Sequence, residues 1–313
     1  MASDRPAATE PLEEIPCNLC GGRRARLLHE RPYQPYLAQE EGAFTATTDE
    51  FQNYGRIVRC LDCGLAYTNP RPKIADIAAG YAACVDETYL SESTSRSINS
   101  HFSLNTVKRF VRSGRLLEVG ASTGYFLNAA RVDYEVAGLE PSEWACRIAR
   151  ERFGLEVHPE TLESSRRFVP GSFDVVAMID VIEHLPDPRA AVCRAAELLR
   201  PGGLLYFVTP DIGSLSARML GGYWWGLRPA HLYYLDQSTI GKMLDSAGLE
   251  MVLIKSFGRI FSYGYWVSRL KHYPPWICGS LRWMIRWLDI GDKLLYLDTR
   301  DSVEICARKR GGS

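Results

Sequence analysis

The sequence predicts a doubly wound α/β fold with a small metal-binding element on its N-terminal side. Three observations carry this expectation. From Arg115 onward, short apolar runs alternate with helical patterns. A glycine-bearing turn follows the first of those runs, where open α/β sheets bind ligands. Two Cys-x-x-Cys-Gly knuckles precede the whole.

The bulk properties narrow the class. A chain of 313 residues exceeds the usual single domain, so one large domain with attachments is expected. A composition of 46% hydrophobic and 24% charged residues is that of a soluble globular protein. Lys+Arg and Asp+Glu both number 37, so no global attraction to nucleic acid is expected. Residues 1–14 are polar, acidic and Pro/Ala-rich, which reads as a disordered tail rather than a signal peptide. No apolar run is long enough to span a bilayer. A cytoplasmic location follows, with reduced thiols. The five cysteines outside the knuckles read as small hydrophobic residues.

The knuckles are Cys17-Asn-Leu-Cys20-Gly21 and Cys60-Leu-Asp-Cys63-Gly64. Two intervening residues let a tight turn aim both thiolates at one ion, and the glycine takes the positive φ that closes the turn. Four soft ligands suit tetrahedral Zn²⁺. Residues 15–73 therefore read as a zinc-binding element, with Gly22 to Arg59 as an excursion between the knuckles. The alternatives are coincidental pairs or a redox dithiol. A closed four-thiolate site leaves no position for substrate, so this zinc would be structural. Its loss should disturb the N-terminal region rather than the chemistry.

Leu116-Leu117-Glu118-Val119-Gly120 reads as a buried strand running through Ala121-Ser122-Thr123-Gly124 into a helix near Tyr125. Gly120 and Gly124 would let the backbone approach a ligand closely. The next strand, Tyr134 to Leu139, ends in Glu140, twenty residues beyond Gly120, where an acidic side chain accepts bonds from ribose hydroxyls. Such a residue suits NAD and S-adenosylmethionine equally. The missing G-x-G-x-x-G and pyrophosphate cradle separate them, and the carboxylate of Glu118 suits a ligand that carries an ammonium and a sulfonium.

Leu117-Glu118-Val119-Gly120, Leu139-Glu140-Pro141-Ser142, Ser172-Phe173-Asp174-Val175-Val176 and Leu199-Arg200-Pro201-Gly202-Gly203-Leu204 occur in the order seen in class I S-adenosylmethionine-dependent methyltransferases. With the knuckles and Asn69-Pro70-Arg71-Pro72, the chain resembles zinc-knuckle methyltransferases of polysaccharide and natural-product pathways. The resemblance implies a Rossmann-like, seven-stranded methyltransferase domain over residues 115–313. It implies that Glu118 and Gly120 contact the methionine part, Glu140 the ribose, and Thr161-Leu162 the adenine. Ser122, Gly124 and Asp180 complete the cofactor-side set. The sequence departs from the commonest pattern in having Ala121-Ser122 where a second glycine often sits.

On the acceptor side, the strand Phe173 to Ile179 delivers Asp180-Val181-Ile182-Glu183-His184-Leu185, and His231 follows much later. This D-x-x-E-H…H set is similar to a pattern in ubiquinone-pathway O-methyltransferases and small-RNA 2′-O-methyltransferases. There the resemblance implies a divalent cation such as Mg²⁺ or Mn²⁺, which lowers the pKa of a bound hydroxyl. General-base catalysis by His231 or His184 is the second reading, and simple ordering of the pocket the third. The expected reaction is O-methylation of a sugar hydroxyl in glycan, glycolipid or natural-product biosynthesis, with C-methylation left open. An RNA methyltransferase that docks through the zinc element, or a non-catalytic S-adenosylmethionine-binding protein, are the alternatives.

Residues 74–114 read as a helical linker and acceptor-side cap. Gly221 to Gly226, with Trp224 and Trp225, reads either as a lid or as core packing. Asp236 caps a helix running to Gly248. Met251 to Phe257 and Asp301 to Lys309 read as the last two strands, antiparallel to each other. Between them, residues 259–300 form an insertion expected to be helical, rich in tryptophan and basic residues, with an apolar stripe from Pro275 to Leu288. It could cap the active site, make a homodimer contact or bind a membrane surface peripherally.

Overall fold

Continuous runs of buried apolar residues along the central strands set the architecture. The computed structural model describes residues 12–31, 44–45, 54–270 and 275–311, with side chains from 279 onward in the last segment. The first eleven residues of the expected tail lie outside these. Residues 12–14 belong to the fold, because Glu13 pairs backbone-to-backbone with Arg71 (2.8 and 3.0 Å).

The chain begins with β1 (Ala25–Glu30), β2 (Arg56–Cys60) and β3 (Ala66–Thr68), then α1 (Ile74–Ala82), α2 (Glu87–Ser91) and α3 (Ser93–Lys108). The doubly wound part follows as β4 (Gly114–Val119), α4 (Tyr125–Ala130), β5 (Tyr134–Leu139), α5 (Glu143–Phe153), β6 (Val157–His158), β7 (Phe173–Ile179), α6 (Pro188–Leu198) and β8 (Leu199–Pro210). After α7 (Leu215–Leu220) come β9 (Tyr233–Tyr234), α8 (Gln237–Ser246), β10 (Leu249–Ser256), β11 (Arg259–Ser262), α9 (Tyr263–Ser268), α10 (Pro275–Trp287), β12 (Leu294–Leu297) and β13 (Ser302–Lys309).

Seven strands form the main sheet in the order β10-β13-β8-β7-β4-β5-β6. The strands β6, β5, β4, β7 and β8 are parallel, and β13 inserts antiparallel between β8 and β10. Parallel central strands are apolar on both faces because each face is covered. Leu116 and Val175 face α3, α4 and α5, whereas Leu117 and Val176 face α6 and α8. Helix starts follow their caps. Ser142 accepts from Ala145 N–H, Asp187 precedes Pro188, and Asp236 forms a capping box with Thr239.

Two boundaries differ from the sequence reading. The N-terminal element is not a separate unit. Its sheet runs β1-β2-β3-β9, taking its last strand from beyond β8, and Cys17, Val58, Cys60 and Leu65 share a core with Leu117 and Val176. The insertion is not wholly helical, because β11 and β12 pair antiparallel at its base and α9 and α10 lie between them. Ile260, Phe261 and Tyr296 are strand-favouring residue types, but the apolar stripe of 275–288 dominates the pattern of the insertion. Asn99 of α3 grips the ribbon through both backbone groups of Ile260 (2.9 Å each), so the helices of 74–114 and the insertion form one cap.

Candidate active site

A cavity of about 990 Å³ opens at the carboxyl ends of β4, β5 and β7, under this cap. On its first side, Glu118 near the end of β4 is 4% exposed, and its Oε2 accepts no hydrogen bond among the described residues. Burial pushes this carboxyl well above its usual range, and the charge of Glu140 adds to the effect. A buried acceptor without a donor is costly, so the position suits a donor arriving in the cavity.

Gly120 (φ 71°) must be glycine, since a Cβ there would fall 2.4 Å from Val181 Cγ2. Ser122, also at positive φ (46°), donates its N–H to Glu140 Oε2 (2.9 Å), and Ser142 N–H donates to Oε1 (3.0 Å). Burial raises the Glu140 carboxyl, and these two backbone bonds offset only part of that rise. Each oxygen retains a second lone pair. Thr161 and Leu162, just beyond β6, line the same cavity. Gly124 does not line it. At φ 84° its Cβ would meet Leu155 Cδ1 at 2.7 Å and Ala149 Cβ at 3.0 Å, so it lets the turn pack on α5.

On the second side, Glu183 and His184 lie on a single 3₁₀ turn after β7, and His231 precedes β9. Glu183 is 2% exposed and accepts from Thr209 Oγ1 (3.0 Å); burial, aided by the charge of Asp180, pushes it up to about 8. His184 Nδ1 lies 3.0 Å from the carbonyl of Ala230 and 2.8 Å from the hydroxyl of Tyr81. His231 is 3% exposed, with Nδ1 2.8 Å from the carbonyl of Gly226. A carbonyl only accepts, so Nδ1 of His231 carries the hydrogen; in His184 an Nδ1 hydrogen serves the Ala230 carbonyl and the Tyr81 hydroxyl together, and neither Nε2 has a hydrogen-bond partner among the described residues. Burial pushes His184 down to about 4 and His231 well below its usual value, so both are neutral imidazoles at pH 7. The rings meet edge to face, centroids 4.6 Å apart. One ligand atom from each of Glu183, His184 and His231 lies within 4.8 Å of the others.

Asp180 does not join this cluster. It lines the cavity at φ 55°, but Arg259 of β11 holds it from both ends (Nη2–Oδ1 2.6 Å, Nη1–Oδ2 2.8 Å). The fork geometry of guanidinium and carboxylate takes up both oxygens. The sequence reading counted Arg259 only among the basic residues of the insertion. Tyr81 carried no signal either. Trp224 settles into core packing, since both Trp224 and Trp225 donate their indole N–H to Asp301 and Trp224 is buried. Trp225 lines the cavity.

The N-terminal element supports the second side. The Thr68 hydroxyl donates to the carbonyl of His231 (3.0 Å), and Thr68 N–H to that of Leu232 (2.9 Å). Away from the cavity, the sulfur atoms of Cys17, Cys20, Cys60 and Cys63 all lie within 4.8 Å of one another, with Cys17–Cys63 at 3.4 Å and Cys20–Cys60 at 3.6 Å. Four thiolates around one Zn²⁺ at about 2.3 Å would stand roughly 3.8 Å apart, so the spacing fits.

Residues 95–254, more than half of the chain, match the family described as a methyltransferase domain. The chain belongs to this methyltransferase family, and its sheet is that of the class I, Rossmann-like fold. Among its relatives is the ubiquinone biosynthesis O-methyltransferase of Thiobacillus denitrificans, 33% identical over 149 residues, 44% of this chain and 64% of that protein. The enzyme of the same name from Idiomarina loihiensis is 29% identical over 161 residues, 47% of this chain and 65% of that protein. The chain thus spans less than two thirds of the length of these relatives. An S-adenosylmethionine-dependent methyltransferase structure from Thermotoga maritima aligns with a TM-score of 0.48 at 22% identity, covering 71% of this chain and 95% of that one.

Proposed function

We propose that the protein transfers the methyl group of S-adenosylmethionine to a hydroxyl oxygen of a small acceptor with an apolar body. The observation that carries this reading is the meeting of two chemistries in one cavity: carboxylates of Glu118 and Glu140 on one side, and Glu183, His184 and His231 on the other. Bound S-adenosylmethionine supplies a methyl electrophile on a sulfonium. Glu118, with its unpartnered oxygen, would take the ammonium, and Glu140, fixed by two backbone N–H groups, would take the ribose hydroxyls. Thr161 and Leu162 would border the adenine.

A hydroxyl becomes nucleophilic as its proton leaves, and Glu183, His184 and His231 are the residues assigned to that step. Two imidazoles with Nδ1 pinned to carbonyls and Nε2 bare, beside the Glu183 carboxyl, which a bound cation would hold ionised, form a donor set suited to a divalent cation. Ligands at about 2.1 Å can stand at most about 4.2 Å apart, so the cluster would contract slightly around an ion. Such an ion would lower the pKa of a coordinated hydroxyl. Asp180, expected in this set from the sequence, serves instead to hold Arg259. The relatives' name as O-methyltransferases supports oxygen as the acceptor atom. The aromatic lining, including Tyr81, Trp225, Phe257 and Phe261, favours an apolar acceptor. A sugar hydroxyl fits when carried on an apolar aglycone or lipid. We assign structural Zn²⁺ to the four knuckle cysteines, to be checked by elemental analysis of purified protein.

The test is turnover on a panel of phenols and glycosides with and without apolar aglycones, reading S-adenosylhomocysteine. Production with apolar-bodied acceptors is expected, and no S-adenosylmethionine binding at all would remove the proposal. EDTA should abolish activity and Mn²⁺ or Mg²⁺ restore it; indifference to EDTA would make histidine the base. Glu140→Ala should weaken S-adenosylmethionine by roughly 1–3 kcal/mol in titration calorimetry, the worth of hydrogen bonds to a charged acceptor. An unchanged dissociation constant would mean that the carboxylate only braces the turn.

A further inference from the structure

We infer that the outer face of α10 seats the protein on an anionic lipid surface. Residues three and four apart share a helix face, so α10 has two distinct sides. Leu281 and Ile285 point inward and line the cavity, which Met284 also reaches from the flank. Trp283 and Trp287 point the opposite way, 67% and 71% exposed, their rings parallel with centroids 6.0 Å apart. Met284 and Leu288 extend the apolar strip on one flank, both more than two-fifths exposed. On the other flank stand Arg282 and Arg286, exposed, and these are the only charged residues of the helix. Leu294 and Tyr296 of β12 are further exposed apolar residues of the insertion.

Two exposed tryptophans on one helix face are costly in water. Indole rings settle at the boundary of headgroups and acyl chains, and flanking arginines meet the phosphates. Among the described residues no helix is long and apolar enough to cross a membrane, so the contact is interfacial. A second copy of the chain fits less well. An antiparallel two-fold pairing of this face would bring the flanks that carry Arg282 and Arg286 to the same side, where like charges repel. Asp289 and Asp292 follow the helix, so the attraction rests on the α10 arginines and on apolar burial rather than on net charge of the whole insertion. The same helix walls the cavity, so an apolar acceptor could pass from lipid to site; that last step alone rests on the methyl-transfer reading.

The experiment is co-sedimentation of the full chain with vesicles of phosphatidylcholine, with and without about one third phosphatidylglycerol. The protein is expected to sediment with the anionic vesicles, less so as salt rises. A Trp283→Ser/Trp287→Ser variant should lose binding by about tenfold or more, and Arg282→Glu/Arg286→Glu should lose its preference for phosphatidylglycerol. Thermal melts of both variants matching wild type establish that they are folded. The inference is overturned if wild type stays in the supernatant with both vesicles, or if both variants sediment as wild type does. It is equally overturned if wild type dimerises without lipid and the tryptophan variant is monomeric, which would assign the face to a second copy. The readout is binding, so its failure leaves the methyl-transfer reading untouched.

Discussion

Replacing His231 with alanine is expected to lower turnover about 10²–10⁴-fold, the usual worth of a group that moves the reacting proton, with S-adenosylmethionine affinity nearly intact. The ring is buried, its Nδ1 hydrogen is committed to the carbonyl of Gly226, and its other nitrogen is bare beside His184 and Glu183. No residue assigned to the cofactor touches it through a hydrogen bond, which is why the two effects should separate. Calorimetry with S-adenosylmethionine and turnover on the best acceptor check the prediction together. Manganese titration adds a third readout, since loss of one of three ligands should abolish saturable binding at this cluster. Wild-type turnover in His231→Ala would remove the histidine from the chemistry under either version of the mechanism.

Most of the frame was legible because it depends on local pattern. Buried parallel strands announce themselves as continuous apolar runs, and Leu116 to Val119, Tyr134 to Leu139 and Phe173 to Ile179 all lie where those runs predicted. The acidic residue at the end of β5 and the glycines of the first turn are likewise fixed by what a strand-turn-helix connection permits, although Gly124 turned out to serve packing. The partners of the site were not legible, since they come from far along the chain. Arg259 reaches Asp180 across 79 positions, and Tyr81 reaches His184 across 103. No periodicity encodes such a meeting. The same holds for the zinc-knuckle element. Its four cysteines read as a structural site remote from the chemistry, and nothing in their spacing announces that β3 pairs with β9 (Ala66 with Tyr234, Tyr67 with Tyr233), close to His231. The Asn69-Pro70-Arg71-Pro72 motif was visible as a family trait without a task.

Arg71 supplies that task, and its replacement by methionine is expected to lower stability by roughly 3 kcal/mol and turnover by about 10–100-fold, with both the four-cysteine site and cofactor binding retained. The side chain is 5% exposed and reaches three ways. Its Nη1 donates to the carbonyl of Pro186 (2.7 Å), two residues beyond His184, and to the hydroxyl of Tyr233 (3.2 Å), two residues beyond His231. Its Nε donates to Glu13 Oε1 (3.1 Å). The guanidinium therefore spans both arms that carry the histidines, and hydrogen bonds from a charged donor are worth about 1.5–3 kcal/mol each. Lysine has no planar fork to serve three acceptors, so Arg71→Lys should recover only part of the loss. Arg71 acts through the histidines and is a positioning residue, which makes the pattern of effects the test. Urea unfolding, zinc content, S-adenosylmethionine affinity and the split between kcat and KM are measured on Arg71→Met and Arg71→Lys. A fall in kcat, with partial rescue by lysine and an unchanged cofactor constant, is the expected result. A loss of stability at wild-type kcat would mean that Arg71 staples the N-terminal element in place and does nothing for the geometry of His184 and His231.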